Sequence, residues 1–337
     1  KGVNFVNLTD AGDPVAVARL LRRRGLLRER SGNYSVALRW LTRGMHALGR
    51  DSATNAQHAA ADAAERAHLV LAYAGVRYRQ GRYQFCIANC HAALALPHLS
   101  ASDEAHARYL LCLAYAHLGD PASEREGLQA LAVYDELGDQ LGRANVLNNL
   151  GMNAYYRGNW TEALDYWLRS GAARGACGDI VGAATQTNNL GEIYSDQGRW
   201  EEANLCFIDA LRVWEGARYE VGVALARSNL GRLSARTGRH AAAEALLERA
   251  IGGFNAIGAS ALALEAKVRL AENMLLSGDI ETSEREAGAL FPDARALDGA
   301  GVLEASLHRI VGVAAWLSGD QGRARDALHA SLDRARA

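Results

Sequence analysis

Asn148-Asn149-Leu150-Gly151, followed seven residues after its glycine by Gly158-Asn159-Trp160-Thr161-Glu162-Ala163, decides the fold. The phrase returns forty residues on as Asn188-Asn189-Leu190-Gly191 with Gly198-Arg199-Trp200-Glu201-Glu202-Ala203, and again as Ser228-Asn229-Leu230-Gly231 before Gly238-Arg239-His240. Outward from these, turn glycines recur at Gly32, Gly81, Gly119, Gly158, Gly198, Gly238, Gly278 and Gly319, with gaps of 49, 38, 39, 40, 40, 40 and 41 residues. A beat of that length marks an array of repeated supersecondary units.

Each unit reads as a helical hairpin. Seven residues before the turn glycine stand Gly25, Ala74, Cys112, Gly151, Gly191, Gly231, Ala271 and Gly312, all small. Five residues after it come Ala37, Cys86, Glu124, Ala163, Ala203, Ala243, Ser283 and Ala324, of which only Glu124 is large. Small residues on both sides of one tight turn let two antiparallel helices approach closely. The glycine supplies the positive φ that ends the first helix, and a following Asn or Asp is placed to cap the second. Leu41, Trp167, Phe207 and Leu247, nine residues past their glycines, are expected to fill the seam between neighbouring units. Only four prolines occur in 337 residues, which agrees with an all-helical chain.

With these residues in view, the chain resembles a tetratricopeptide repeat (TPR) array. The Asn-Asn-Leu-Gly phrases are similar to the family's first-helix signature, and Trp160-Thr161-Glu162-Ala163 and Trp200-Glu201-Glu202-Ala203 to the start of its second helix. The beat fits the family's long-helix members; HEAT or armadillo repeats fit by length, but the Gly-x-aromatic turn and the Leu-Gly pair favour TPR. Pro121, Glu124 and Gln321 depart from the pattern in units three and eight. The resemblance implies an all-α, right-handed superhelical α-solenoid of about eight TPR-like hairpins. The expected organisation is one array over 1–337, with units near 17–50, 66–100, 104–137, 143–177, 183–217, 223–257, 263–296 and 304–337. The one long gap places an irregular insertion, a loop or an overlong helix, at about 49–65.

The charge balance, 37 basic against 38 acidic residues, lacks the basic footprint of a nucleic-acid binder. No apolar run is long enough to span a membrane. No charged-then-apolar leader is visible, and five cysteines suit a reducing compartment; the expected location is cytoplasmic. Cys86, Cys90, His91, His98, Cys112 and His117 invite a zinc reading, but the three cysteines occupy offsets that demand small or buried residues in every unit. Gly171 to Asp179 is glycine-rich yet lacks the Gly-Lys-Ser/Thr ending of a phosphate loop, and reads as an inter-repeat turn. No metal, cofactor or catalytic set is expected.

In TPR arrays the first helices line a groove that holds a partner segment. Residues thirteen, ten, nine, six, three and two before each turn glycine share one helix face. Among them are Arg19, Arg22, Arg23 and Arg30, then His68, Tyr78 and Arg79, then His106, Tyr109 and His117. Asn145, Asn148, Asn149, Met152, Tyr155 and Tyr156 follow, then Thr185, Asn188, Asn189, Glu192, Ser195 and Asp196, then Ser228, Asn229, Arg232 and Arg236. Asparagines both donate and accept, so a row of them can read an extended backbone or else bridge adjacent helices. The expected partner-binding groove is Asn145, Asn148, Asn149, Tyr155, Tyr156, Asn188, Asn189, Glu192, Asn229, Arg232 and Arg236, with anion contacts at Arg19, Arg22 and Arg23. The family's use of groove asparagines carries over most directly to Asn149, Asn189 and Asn229.

Leu137-Gly138-Asp139-Gln140-Leu141-Gly142-Arg143 before Asn148-Asn149, and Glu29-Arg30-Ser31-Gly32-Asn33-Tyr34, are similar to the C-terminal TPR regions of large bacterial regulators. Such regions accompany a switch ATPase, a DNA-binding domain or a cyclase, and a chain opening at Lys1 is expected to be part of such a protein. The resemblance thus implies a module binding a protein or peptide segment, or other domains of its own parent chain. A regulator that senses a peptide pheromone or small ligand, and changes superhelical pitch on binding it, is the alternative. An enzyme with a site on the concave face is the remaining alternative, and Glu192, Asp196, Arg232 and Arg236 form the cluster to test for it.

Overall fold

A computed structural model describes residues 13–48, 56–297 and 301–336, with backbone alone at 56–59 and 336. The described residues form sixteen helices and no strand. They divide into two compact units, 1–177 and 178–337. In the first, α1 (Pro14–Arg30) pairs with α2 (Tyr34–Leu48), α3 (Ala56–Arg79) with α4 (Tyr83–Leu94), α5 (Ala101–His117) with α6 (Ala122–Leu137), and α7 (Gln140–Tyr156) with α8 (Trp160–Ala176). In the second, α9 (Ile180–Asp196) pairs with α10 (Trp200–Gly216), α11 (Glu220–Arg236) with α12 (His240–Ala256), α13 (Ser260–Leu276) with α14 (Ile280–Arg295), and α15 (Gly301–Leu317) with α16 (Gln321–Arg336). The all-α array of eight hairpins is thus the observed fold. Of the irregular stretch, residues 49–55 lie outside the described residues, while 56–65 prolong α3 to 24 residues, against 17 in α5.

All eight turn glycines have φ between 66° and 91°. The small residues seven positions before them are all buried, and each hairpin closes across that point. At α9 the fit is tight: a Cβ on Gly191 would stand 2.7 Å from the ring of Phe207, which is wholly buried. Leu41, Trp167, Phe207 and Leu247 therefore do more than fill the seam between units. Each also covers the small residue of its own hairpin, Gly25, Gly151, Gly191 and Gly231. Phe207 does both, packing on Leu230 and Leu233 of the following hairpin.

Hairpin three shows why Glu124 broke the pattern. There the Asp120 carbonyl accepts from the Ser123 amide three residues on, where the other hairpins bond four residues on, so Ser123 takes the buried place and Glu124 turns outward to pair with Arg157. The Ser123 hydroxyl donates to the Cys112 carbonyl at 2.8 Å, the same bond that Ser283 makes to Ala271 at 2.7 Å. The expected second-helix caps hold at Asp279, which accepts from the Thr282 amide, and fail at Asn159, whose amide donates to Glu162 instead.

A second glycine beat, absent from the sequence reading, links the hairpins. Gly138, Gly178 and Gly258 all have positive φ, and the fourth position of this forty-residue series is Arg218, at φ 54°. A side chain there is strained. Arg218→Gly is expected to raise stability by about 0.5–1 kcal/mol through relief of that strain. Gly191→Ala is expected to lower it by about 1–2 kcal/mol, because overpacking exceeds the helix-propensity gain. Urea denaturation followed by circular dichroism reads both signs.

Candidate functional site

In the first unit, α1, α3, α5 and α7 lie side by side as one layer. Between them opens a cavity of about 560 Å³, lined by Leu26, Glu29, Arg30, Leu71, Ala72, Gly75, Tyr78, Arg79, His106, Tyr109, Leu110, Leu113, Asn148 and Asn149. Each of these falls on one of the six stripe offsets, so the periodic stripe is the wall of a real groove. Its floor is apolar and its rim polar, the composition of a ligand pocket of about 300–1,000 Å³.

Two ion-paired clusters hold the walls. At one end Glu65, with 2% of its side chain exposed, accepts from Arg22 at 2.6 Å and lies 3.7 Å from Arg19. His68 sits between Glu65, at 3.6 Å, and Asp103, at 3.3 Å, and Asp103 also accepts from Ser100. The Asp103 and Glu65 hydrogen bonds raise the His68 pKa to about 9, so it is a cation at neutral pH. Burial pushes both carboxyls up, but the bonds from His68, with Arg22 on Glu65 and Ser100 on Asp103, leave them below their usual values. At the other end Arg79 Nε donates to Glu29 Oε1 at 2.7 Å. His106 stands open to the groove yet is walled in enough for desolvation to lower its pKa. Arg19 and Arg22, expected as anion contacts, thus belong to Glu65, and Arg23 is exposed and outside the cavity lining.

The α7 residues serve different ends. Asn149 donates to the Tyr109 hydroxyl at 3.3 Å and to the Asn145 carbonyl at 2.8 Å, while the Asn145 side chain accepts from Arg174. The Asn148 side chain, half-buried on the cavity wall, has no hydrogen-bond partner among the described residues. Tyr155 packs between Tyr156 and Trp167, and Tyr156, 75% exposed, borders a separate cavity of about 350 Å³ with Asn153 and Arg157.

In the second unit the stripe closes on itself. Asn188 and Asn229 are wholly buried, and Asn229 donates to both Asn188 and Glu192 at 3.0 Å. Arg269 of α13 completes the lattice, donating to Asn229, Ser228 and Glu265. Asp196 accepts from Arg232 at 3.5 Å and Arg236 at 3.1 Å. These asparagines bridge helices, and Asn189 alone of them is half-buried without a polar partner among the described residues.

The residues weighed for zinc are engaged separately. Cys86 and Cys90 are buried 4.0 Å apart, Cys112 lies against Ser123, and His91 and His117 bond to Tyr115 and Tyr78. Burial pushes the Cys112 thiol up to about 11, as befits an inert core residue. Gly171 to Ala176 ends α8, and Gly178 supplies the turn.

Residues 143–170 and 183–256 each match the tetratricopeptide repeat family. Over those two stretches the chain is a tetratricopeptide-repeat array. Among solved structures, the TPR chain is similar to a signal transduction ATPase with numerous domains (STAND) protein with a tetratricopeptide repeat sensor, from Pyrococcus horikoshii, at 17% identity and a TM-score of 0.65. That match covers 94% of this chain and 47% of the STAND protein, so the TPR chain spans about half its length. The apo quorum sensor NprR of B. thuringiensis matches at 12% identity and a TM-score of 0.67, covering 97% of this chain and 90% of that one. The Rap conjugation gene regulator of plasmid pLS20, in complex with the Phr* peptide, matches at 15% identity and a TM-score of 0.59, covering 95% of both. No curated protein sequence matches the TPR chain. At these identities the likeness is one of fold.

Sequence reasoning named the polar members of the TPR stripe and passed over Leu26, Glu29, Leu71, Leu110 and Leu113, which lie at the same offsets. Glu65 and Asp103 both lie sixteen residues before their turn glycines, one step beyond the six named offsets, and only the structure joins them to His68. A histidine whose pKa is raised by folding stabilises fully below its unfolded pKa and loses that contribution as pH rises through the folded value. The urea midpoint is therefore expected to fall between pH 6.5 and 9, and His68→Gln to flatten that fall.

Proposed function

We propose that this chain is a non-catalytic recognition module that holds an extended segment of a protein or peptide in the first unit's groove, as the sensing part of a larger regulator. The observation that carries the reading is the 560 Å³ cavity, whose lining is drawn wholly from the repeat stripe and joins an apolar floor to the Asn148 amide. An extended chain brings backbone amides and carbonyls that an asparagine side chain can pair with, and each such bond adds about 0.5–1.5 kcal/mol. The NprR neighbour, a quorum sensor, and the Rap neighbour, a regulator with a bound peptide, support the peptide reading. The STAND neighbour, with its TPR sensor, supports a place inside a multidomain regulator. A non-catalytic role is supported by the stripe carboxylates: Glu29, Glu192 and Asp196 are each bonded to a neighbouring helix. The cavity's modest size also suits a compact ligand, the second reading.

Gly75 offers a clean test. It faces the cavity, and a Cβ there would meet only the Glu29 carboxylate at 3.8 Å. Gly75→Phe is expected to fill the groove while leaving helicity and unfolding midpoint intact. In panning of a phage-displayed random heptapeptide library, wild type is expected to select binders that this variant does not retain. Binders held equally by both, or none, would sink the reading; in the second case an equilibrium-dialysis screen of small metabolites tests the compact-ligand reading.

A further inference from the structure

We infer that the groove of the first unit selects a segment carrying a carboxylate next to an apolar side chain, with Arg30 receiving the carboxylate. This rests on the groove reading above and adds the chemistry of its occupant.

Three charged side chains line the larger cavity: Glu29, Arg30 and Arg79. Glu29 is only 9% exposed and already neutralised by Arg79 at 2.7 Å. Arg30, in the last turn of α1, is exposed and pairs with no carboxylate among the described residues. The rim thus holds one guanidinium in excess, beside a floor of leucines. One further observation places positive potential at this end. Burial raises the Tyr109 phenol's pKa, and Arg79 and Arg174 are both near enough to pull it back down. The Asn148 amide, without a side-chain partner among the described residues, supplies a neutral donor on the opposite wall.

The rest of the groove is balanced in charge. A second cavity of about 340 Å³ shares Leu26, Leu71, Ala72 and His106 with the first and is bordered by Arg22 and His68 as well as by Asp103 and Asp139. The unmatched guanidinium at the Arg30 end is therefore where an acidic group meets net attraction. Arginine suits this role because its planar fork binds a carboxylate through two parallel hydrogen bonds.

The test uses the full chain and two displayed random heptapeptide libraries, one with an internal segment and one with a free C-terminus. On wild type, binders are expected to carry Asp or Glu at a constant spacing from an apolar residue, or to come only from the free C-terminal library if the carboxylate is terminal. Arg30→Glu, at an exposed unpaired site, is expected to fold normally and to weaken selected binders at least tenfold. A fresh selection on that variant should exchange the acid for Lys or Arg. Binders that Gly75→Phe abolishes but that show no acid, or that ignore Arg30→Glu, would overturn this inference and leave the groove reading standing. Binders untouched by Gly75→Phe, or no binders in either library, would overturn both.

Discussion

Everything in this chain depends on how closely two antiparallel helices can cross. A glycine seven residues before the turn, as at Gly25, Gly151, Gly191, Gly231 and Gly312, lets the second helix press a large side chain against the first helix's backbone. Trp167 illustrates the consequence, since its ring lies on Gly151 while its indole N–H donates to the Asn148 carbonyl at 3.2 Å. Because one face of each first helix is spent on its own hairpin, the opposite face is left for the layer formed with its neighbours. Groove and core are thus two sides of the same helices, and the spacing of the core residues sets the spacing of the groove residues.

The same stripe offsets produce an open cavity in the first unit and a closed lattice in the second, and the difference lies in a few side chains. Nine residues before the turn glycine the first unit has Ala72 and Leu110 at its centre, which pair with nothing polar and leave room between helices. At the corresponding positions the second unit has Asn229 and Arg269, which reach across to Asn188, Ser228 and Glu265. Burying a guanidinium is costly unless its donors are met, and burial does lower the Arg269 pKa despite Glu265. The lattice meets that demand by consuming the asparagines themselves.

This explains what could and could not be seen in the sequence. The hairpins, their turns and the groove-facing stripe follow from periodicity, since every residue lining the 560 Å³ cavity keeps a repeat offset. The slipped register of α6 was hidden, because Ser123 and Glu124 are adjacent and only the tighter first turn, closed from Ser123 to Asp120, decides which is buried. The fate of each asparagine was hidden for a different reason. Asn148 and Asn188 share an offset and a residue type, yet one stays on a cavity wall and the other is sealed by a neighbour forty-one residues away. Pairwise partners of that kind are set by the side chains of adjacent repeats, which a repeat pattern averages out.

The two clasps of the groove are unequal, and their inequality bears on how it would admit a segment. Glu65 is almost wholly enclosed and bonded from two helices, so removing any partner would strand a buried charge. Arg79 is 58% exposed, where water screens its bond to Glu29 and competes for its donors. The His68 end therefore holds α1, α3 and α5 in fixed register before anything binds, which lowers the ordering cost that a bound segment must offset. The Arg79 end supplies the adjustable side chain. A groove fixed at one end and yielding at the other can admit segments of different bulk without disturbing the hairpin crossings beneath it.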